Sequence, residues 1–220
     1  MSELAPPRWV FPDPRESDDD IVAVGADLEP ATILSAYQQG LFPMPLTDYD
    51  EMSWWSPLVR GVLPLGSLRI TRSMRQSARR FTVTIDQAFD EVVAGCADRT
   101  RPGAWIDDRI VAAYRRLYRD GWAHSVEVWK GSQLAGGLYG VAIGGLFAGE
   151  SMFHRVTDAS KVALMALVDL LDDGDPRRLV DVQWATPHLE TLGVTEVARD
   201  DYLFMLAQAL AAPLPTMWRW

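Results

Sequence analysis

A chain of 220 residues with 48% apolar and 23% charged side chains can close a sizeable core, which excludes both a disordered tail and a disulfide-held miniprotein. Its length suits one or two domains. A formal net charge of −9 argues against nucleic-acid binding over the whole surface, since affinity for phosphate comes from a local excess of cations.

Up to about Pro57 the chain is rich in turns and aromatics, with Phe11-Pro12-Asp13-Pro14, Ala23-Val24-Gly25-Ala26-Asp27-Leu28 and Gly40-Leu41-Phe42-Pro43-Met44-Pro45. Between the last two strings one helix is predicted. Pro30 suits its first turn, Ile33, Leu34 and Tyr37 share a face, and Gly40 is placed to stop it. After Trp54-Trp55-Ser56-Pro57 a longer pattern of strands and helices begins at Val62-Leu63. Acid is absent from Arg60 to Ile85, while arginine stands at 60, 69, 72, 75, 79 and 80; Glu16, Asp18, Asp19 and Asp20 cluster near the start. Thr71 can cap a helix over Arg72 to Arg80, with Arg72, Arg75 and Arg79 on one side and Met74, Ala78 and Phe81 on another.

Phe81 to Ile85 alternates as a strand, and Gln87 to Cys96 and Asp107 to Asp120 carry helical spacing. The period then drops to two: Ser125 to Trp129, Gln133 to Ala142 and Leu146 to Met152 read as successive antiparallel strands. The apolar run Leu134 to Gly149 is glycine-rich and sixteen residues long, below the roughly 20 that a membrane helix requires, and reads as sheet. A helix over Asp158 to Leu171, capped by Thr157 or Asp158, a buried strand over Leu179 to Trp184 and helices over Pro187 to Leu192 and Arg199 to Ala211 complete the order. The first thirty residues lack an export signal and Cys96 has no second cysteine to bridge, so a cytosolic setting is expected.

A meander, a loop, a helix, a strand and a further helix follow, by analogy, the acetyltransferase-like α+β order. In that fold the loop before the helix carries glycines that cradle a pyrophosphate. Here it reads Arg155-Val156-Thr157-Asp158-Ala159-Ser160, and an aspartate there opposes coenzyme A by bulk and charge. Gly149-Glu150-Ser151-Met152-Phe153 lacks the second glycine of a serine-hydrolase elbow. His124, His154 and His188 are dispersed without paired cysteines, so no metal signature is present, and Cys96 is expected to be buried.

Several strings in order along nearly the whole chain resemble the leucyl/phenylalanyl-tRNA–protein transferases. They are Val24 to Leu28, Ala36-Tyr37-Gln38-Gln39-Gly40-Leu41-Phe42-Pro43, Trp54 to Pro57, His124 to Trp129, Gly149 to Phe153, Ala159-Ser160-Lys161 and Asp181-Val182-Gln183. The resemblance implies a small N-terminal domain (1–57) before an acetyltransferase-like, GNAT-like C-terminal domain (58–220). It implies transfer of Leu, Phe or Met from aminoacyl-tRNA to proteins beginning with Lys or Arg, in the bacterial N-degron pathway, by a cytoplasmic monomer without cofactor or metal. An acyl-CoA-dependent N-acyltransferase and a non-catalytic tRNA or N-terminus binding module are the competing readings.

An aminoacyl ester is already activated and an α-amino group of pKa about 7.7–8.0 is partly neutral at pH 7, so alignment and removal of a proton suffice. Asp181 and Gln183, two apart on one predicted strand, are expected to point at one volume. The resemblance implies that they are catalytic, Gln183 touching the incoming amine and Asp181 polarising Gln183 or accepting the proton. It gives Glu150, with Ser151 and Met152, a place in the substrate site; pairing of Glu150 with Arg155 or Lys161 is the structural alternative. Leu138, Phe147, Met152, Leu167 and Leu171 match positions lining the Leu/Phe pocket, and Tyr37, Trp105 and Tyr114 match positions near the terminal adenosine. Met44 stands where many relatives carry tryptophan, and a thioether can still lie against a base. Arg72, Arg75, Arg79 and Arg80 are expected to hold acceptor-stem phosphates.

Overall fold

The computed structural model describes residues 6–46, 50–101 and 103–218. Its first part is a three-stranded antiparallel sheet, ordered β1 (Ile21–Val24), β3 (Met52–Trp55), β2 (Phe42–Pro45), with helix α1 (Pro30–Gln38) between its first two strands in sequence. The turn-rich reading missed these strands because each spans four residues and Phe42–Pro45 contains two prolines, which favour an edge. Trp54 anchors the sheet: its ring is buried against Phe11 and its indole N–H donates to Gly25 O at 2.7 Å. Gly40 closes α1 at φ +82°, and a Cβ there would meet Leu203 at 2.5 Å, so both the turn and the packing demand glycine.

The second sheet has seven strands. In chain order its elements are β4 (Val59–Leu63), α2 (Arg72–Ala78), β5 (Thr82–Ile85), α3 (Phe89–Cys96), α4 (Asp108–Arg119), β6 (Ala123–Lys130), β7 (Gln133–Ile143), β8 (Leu146–His154), α5 (Ala159–Leu171), β9 (Leu179–Gln183), α6 (Pro187–Leu192), β10 (Thr195–Ala198) and α7 (Arg199–Leu210). The strand order is β10-β4-β9-β8-β7-β6-β5, antiparallel throughout except for the parallel pair β8–β9. Neighbours such as Leu138 and Tyr139 fall into different core clusters, so the sheet is covered on both faces. The chain is thus a mixed α/β protein with two sheets and seven α-helices among the described residues.

Two helix starts use aspartate differently. Asp107 caps α4 by accepting from the backbone N–H groups of Arg109 and Ile110. Asp158 sits at the N-cap of α5 in the left-handed region, at φ +71°, and makes no capping bond. Its carboxylate instead accepts from Ser77 Oγ (2.8 Å) and Lys161 Nζ (3.1 Å), tying α2 to α5. Helix α2 ends at Ala78 rather than Arg80, with Arg79 closing it, and buries Met74 and Ser77.

Candidate functional site

A site opens where the two parallel strands part. The pairs Leu146↔Leu179, Phe147↔Val180 and Ala148↔Asp181 bind β8 to β9, and the pairing ends there. Just beyond, each strand carries an unpaired extra residue. Glu150 is skipped between the pairs Gly140↔Gly149 and Tyr139↔Ser151, and Val182 between Val62↔Asp181 and Gly61↔Gln183. Such bulges bend a strand and re-aim side chains. Gly61 permits the bend: a Cβ on it would stand 2.6 Å from Ala185 N and 2.7 Å from Trp184 C.

The gap becomes two adjoining hollows. One, of about 180 Å³, is walled by apolar side chains including Leu138, Phe147, Met152, Leu164 and Leu167, with Glu150, Ser151 and Gln183 at its polar end. The other, of about 170 Å³, is lined by Phe42, Met44, Trp105, Trp184 and Thr186. Glu150, Val182, Gln183 and Leu189 face both. Trp184 is held edge-on against Phe42 and Trp55, at 5.1 and 5.7 Å between ring centroids.

Glu150 is 7% exposed, and its oxygens meet two buried phenols. Tyr37 donates to Oε1 at 2.5 Å, Tyr114 donates to Oε2 at 2.8 Å, and the two hydroxyls lie 2.5 Å apart. Loss of water pushes the Glu150 carboxyl up to about 7, although both phenols and Arg60 favour its ionised form. Burial likewise pushes the Tyr37 and Tyr114 phenols well above their ordinary value. Gln183 occupies the left-handed region at φ +60°, which for a residue with a Cβ costs about 1–3 kcal/mol. Its carboxamide is satisfied with the nitrogen donating to Gly149 O (2.8 Å) and Val182 O (3.1 Å).

Three expectations are corrected here. Asp181 does not share a volume with Gln183: it is fully buried, where it accepts from Arg60 Nε (2.9 Å) and Nη2 (2.6 Å), Tyr202 (2.8 Å) and the backbone N–H of Gln183 (2.9 Å). The bulge at Val182 and the left-handed Gln183 break the alternation that would have put both on one face. Tyr37 and Tyr114 are 1% and 0% exposed, so neither ring offers a face to a base; both hold Glu150. Leu171 lies in the core cluster beyond the hollow's lining, one turn past Leu167.

Leu138, Phe147, Met152, Leu167, Glu150, Ser151 and Gln183 line the first hollow, and Met44 and Trp105 the second. Ser151 also bonds the Cys96 thiol, which burial pushes up to about 12. Lys161 goes to Asp158 rather than Glu150. Arg60 is missing from the basic surface altogether. It is 1% exposed between the rings of Phe42 and Tyr202, and although burial alone would lower its pKa, Asp181 more than reverses this. Arg72, Arg75, Arg79 and Arg80 are exposed, Arg80 donating to Ser77 at 2.8 Å. Sequence reasoning missed Leu164, Val180, Leu189 and Trp184 as lining; the doublet Val182-Gln183 running into Trp184 was the available signal for the last. Among the described residues no group of three or more His, Cys, Asp or Glu side chains could hold a metal, and no helix is long and apolar enough to cross a membrane.

A family model described as leucyl/phenylalanyl-tRNA protein transferase matches residues 62–207, and one described as the N-terminal domain of that transferase matches residues 26–58. Curated proteins bearing that name are similar over most of the chain. The relative from Hydrogenovibrio crunogenus is 46% identical over 195 residues, 86% of this chain and 75% of its own. Those from Shewanella baltica and Anaeromyxobacter dehalogenans are 44% and 46% identical over 217 residues, covering 94% of this chain and 90% and 91% of theirs. A solved structure of a conserved protein of unknown function from Bacteroides thetaiotaomicron aligns at a TM-score of 0.42 and 9% identity, over 71% of this chain and 56% of that one; so loose a likeness carries no argument.

Proposed function

The chain belongs to the leucyl/phenylalanyl-tRNA–protein transferase family, and from that premise we propose how its paired hollows serve the transfer of an aminoacyl group from tRNA to a protein N-terminus. The Leu, Phe or Met side chain of the donor enters the apolar hollow, and the terminal adenosine takes the neighbouring one, against Trp105, Trp184 and Met44. The acceptor's N-terminal Lys or Arg brings its α-amino group to the lip that both hollows share. The observation that carries this reading is the join itself: an apolar hollow passes into an aromatic one across Glu150 and Gln183. An aminoacyl-adenosine ester has the same parts in the same order.

The donor ester needs no further activation, so holding it beside a neutral amine supplies most of the acceleration. Gln183, fixed by the backbone N–H to Asp181 bond, orients the amine, and Asp181 is a positioning residue locked to Arg60. Arg72, Arg75, Arg79 and Arg80 hold acceptor-stem phosphates. We read residues 1–57 as a small N-terminal domain and 58–220 as an acetyltransferase-like catalytic domain. The change of sheet between Trp55 and Val59 supports that boundary, and the parting parallel pair supports that fold. The reading is of a cytoplasmic monomer working without cofactor or metal. Against coenzyme A as donor stands Asp158, which Ser77 and Lys161 hold ionised, its carboxyl lowered by those bonds, at the start of α5.

Purified protein, radiolabelled Leu-tRNA and an Arg-initiated peptide are expected to give labelled peptide. Gln183→Ala should lower the rate about 10²–10³-fold, as loss of one oriented polar group in a site does. Leu-, Phe- and Met-tRNA should differ modestly, since an apolar pocket separates one methylene by only about 1–3 kcal/mol. No transfer from any of the three donors would overturn the reading.

A further inference from the structure

We propose that Trp218 sets how large a donor side chain the apolar hollow accepts, by fixing the ring of Phe147 as part of its wall. The inference rests on the reading of that hollow as the seat of the donor side chain, and it gives the pocket a positioning residue from outside its lining.

Phe147 is the one aromatic ring among the described residues that line the hollow. It is buried on β8 opposite Ala142 of β7, and its ring lies over Gly140, where a Cβ would stand 2.6 Å from Cε1 and 2.7 Å from Cζ. Glycine leaves space for the ring without gripping it.

Trp218 supplies the grip. Its indole is buried and nearly parallel to the phenyl ring, at 19° and 6.0 Å between centroids, an offset stack. On His124 of β6 it stacks more closely, at 25° and 4.1 Å. His124 is itself held, since Nδ1 bonds Asp86 Oδ2 at 2.7 Å and Asp86 Oδ1 accepts from the backbone N–H of Ser125 at 2.7 Å. The segment that brings Trp218 here follows α7. Arg178 donates to Pro213 O at 2.5 Å, and in the short turn over Thr216–Trp218 the Trp218 N–H donates to Pro215 O at 3.0 Å. A row of contacts thus runs from Asp86, at the end of β5, through His124 and Trp218 to the wall of the hollow.

The apolar wall otherwise comes from aliphatic side chains and Met152, which touch the hollow directly. Phe147 differs because a ring packed beside it decides where it stands. A smaller side chain at 218 empties volume next to the phenyl ring, which turns into that volume and deepens the hollow. A pocket of fixed depth separates donors by about 10–200-fold per methylene, so a deeper one loses its discrimination against a longer ring.

The test compares phenylalanyl- and 2-naphthylalanyl-adenosine as donors to an Arg-initiated peptide, and measures the affinities of their amide-linked analogues by calorimetry. Wild type should favour the phenylalanyl compound, and Trp218→Leu should move the ratio about tenfold or more toward the naphthylalanyl one, in kcat/KM and in Kd alike. Trp218→Phe keeps a ring in the stack and should give a smaller shift in the same direction, which decides the matter where Trp218→Leu fails to fold. Phe147→Ala removes the wall itself, and in that background Trp218→Phe should leave the ratio unchanged, because both residues act through one ring. A tryptophan that only filled the core would lower stability and every donor together, with the ratio intact. Equal affinity of wild type for both analogues, an unchanged ratio in the folded variants, or a shift that persists in full in Phe147→Ala would overturn the inference. Should wild type bind the analogues with the expected preference yet transfer neither donor, the transfer reading fails, and the ratio of affinities still reports on Trp218.

Discussion

Burial makes Glu150 a liability to the fold near neutral pH. Its carboxyl rises from an ordinary 4.5 to about 7 on folding, so between those values the native chain holds a proton that the unfolded chain has lost. Stability therefore falls as pH rises through this window, and the loss is complete above about 7. At 1.36 kcal/mol per unit the cost is on the order of 3 kcal/mol. Glu150→Gln keeps a donor and an acceptor for the two phenols and removes the ionisation. Relative to wild type it should gain on the order of 3 kcal/mol between pH 4.5 and pH 8, read as a growing difference in urea midpoint. A difference that does not change with pH would show that Glu150 is not the raised carboxyl. Asp181 is as deeply buried, with both oxygens bound by Arg60. An acid among apolar neighbours on a strand marks Glu150 in the sequence. Nothing local shows how Asp181 is paired, because its cation lies 121 residues earlier, in the acid-free, arginine-rich stretch from Arg60 to Ile85.

Elements are shaped by backbone as much as by side chains here. The periodicity of β6, β7 and β8, the cap of α4 and the stop of α1 at Gly40 are all legible, because each repeats or ends in a residue with one dominant use. The short strands β1, β2, β3 and β10 are not, since four residues give alternation too little length to register. The bulges at Glu150 and Val182 are invisible for a different reason: they exist only relative to a neighbouring strand. Their consequence is the site. Gly61 on β4 is the contact on which the bend at Val182 depends, and what its missing side chain avoids is backbone, at Ala185 N and Trp184 C, which cannot rotate aside. Gly61→Ala should cost about 1–3 kcal/mol by overpacking. It should also push Trp184 out of the second hollow, so KM for aminoacyl-tRNA should rise more than kcat falls. A variant that is destabilised but keeps its KM would separate the bend from the shape of the adenosine side.

Taken as a whole, the molecule is acidic, yet one helix presents cations to solvent. Arg72, Arg75, Arg79 and Arg80 stand exposed on and just after α2, while Ser77, on its buried side, donates to Asp158 at the start of α5, the helix whose Leu164 and Leu167 wall the apolar hollow. A duplex held on those arginines would be fixed relative to the hollows through the packing of α2 on α5, in which Met74 shares a core with Leu164 and Leu167, so phosphate binding there places the tRNA end without reading its sequence. The net charge of −9 then has its own use, since it opposes nucleic acid settling elsewhere on the surface. Each phosphate neutralised contributes about 0.7–0.9 to the slope of log K against log salt, so reversing two arginines to glutamate should lower that slope by about 1.5 or more. Arg75→Glu with Arg79→Glu is the pair to use, because both side chains are exposed and neither carries the contact of Ser77 with Asp158. Affinity for aminoacyl-tRNA should fall uniformly across tRNA sequences, and the thermal midpoint should stay within about 2 °C of wild type, as for surface substitutions of small free-energy effect. Transfer from a short aminoacyl-adenosine donor, which has no stem to bind, should be unaffected. If the salt slope holds while affinity drops, the arginines act on the fold or on the acceptor protein, and the stem must lie on another face.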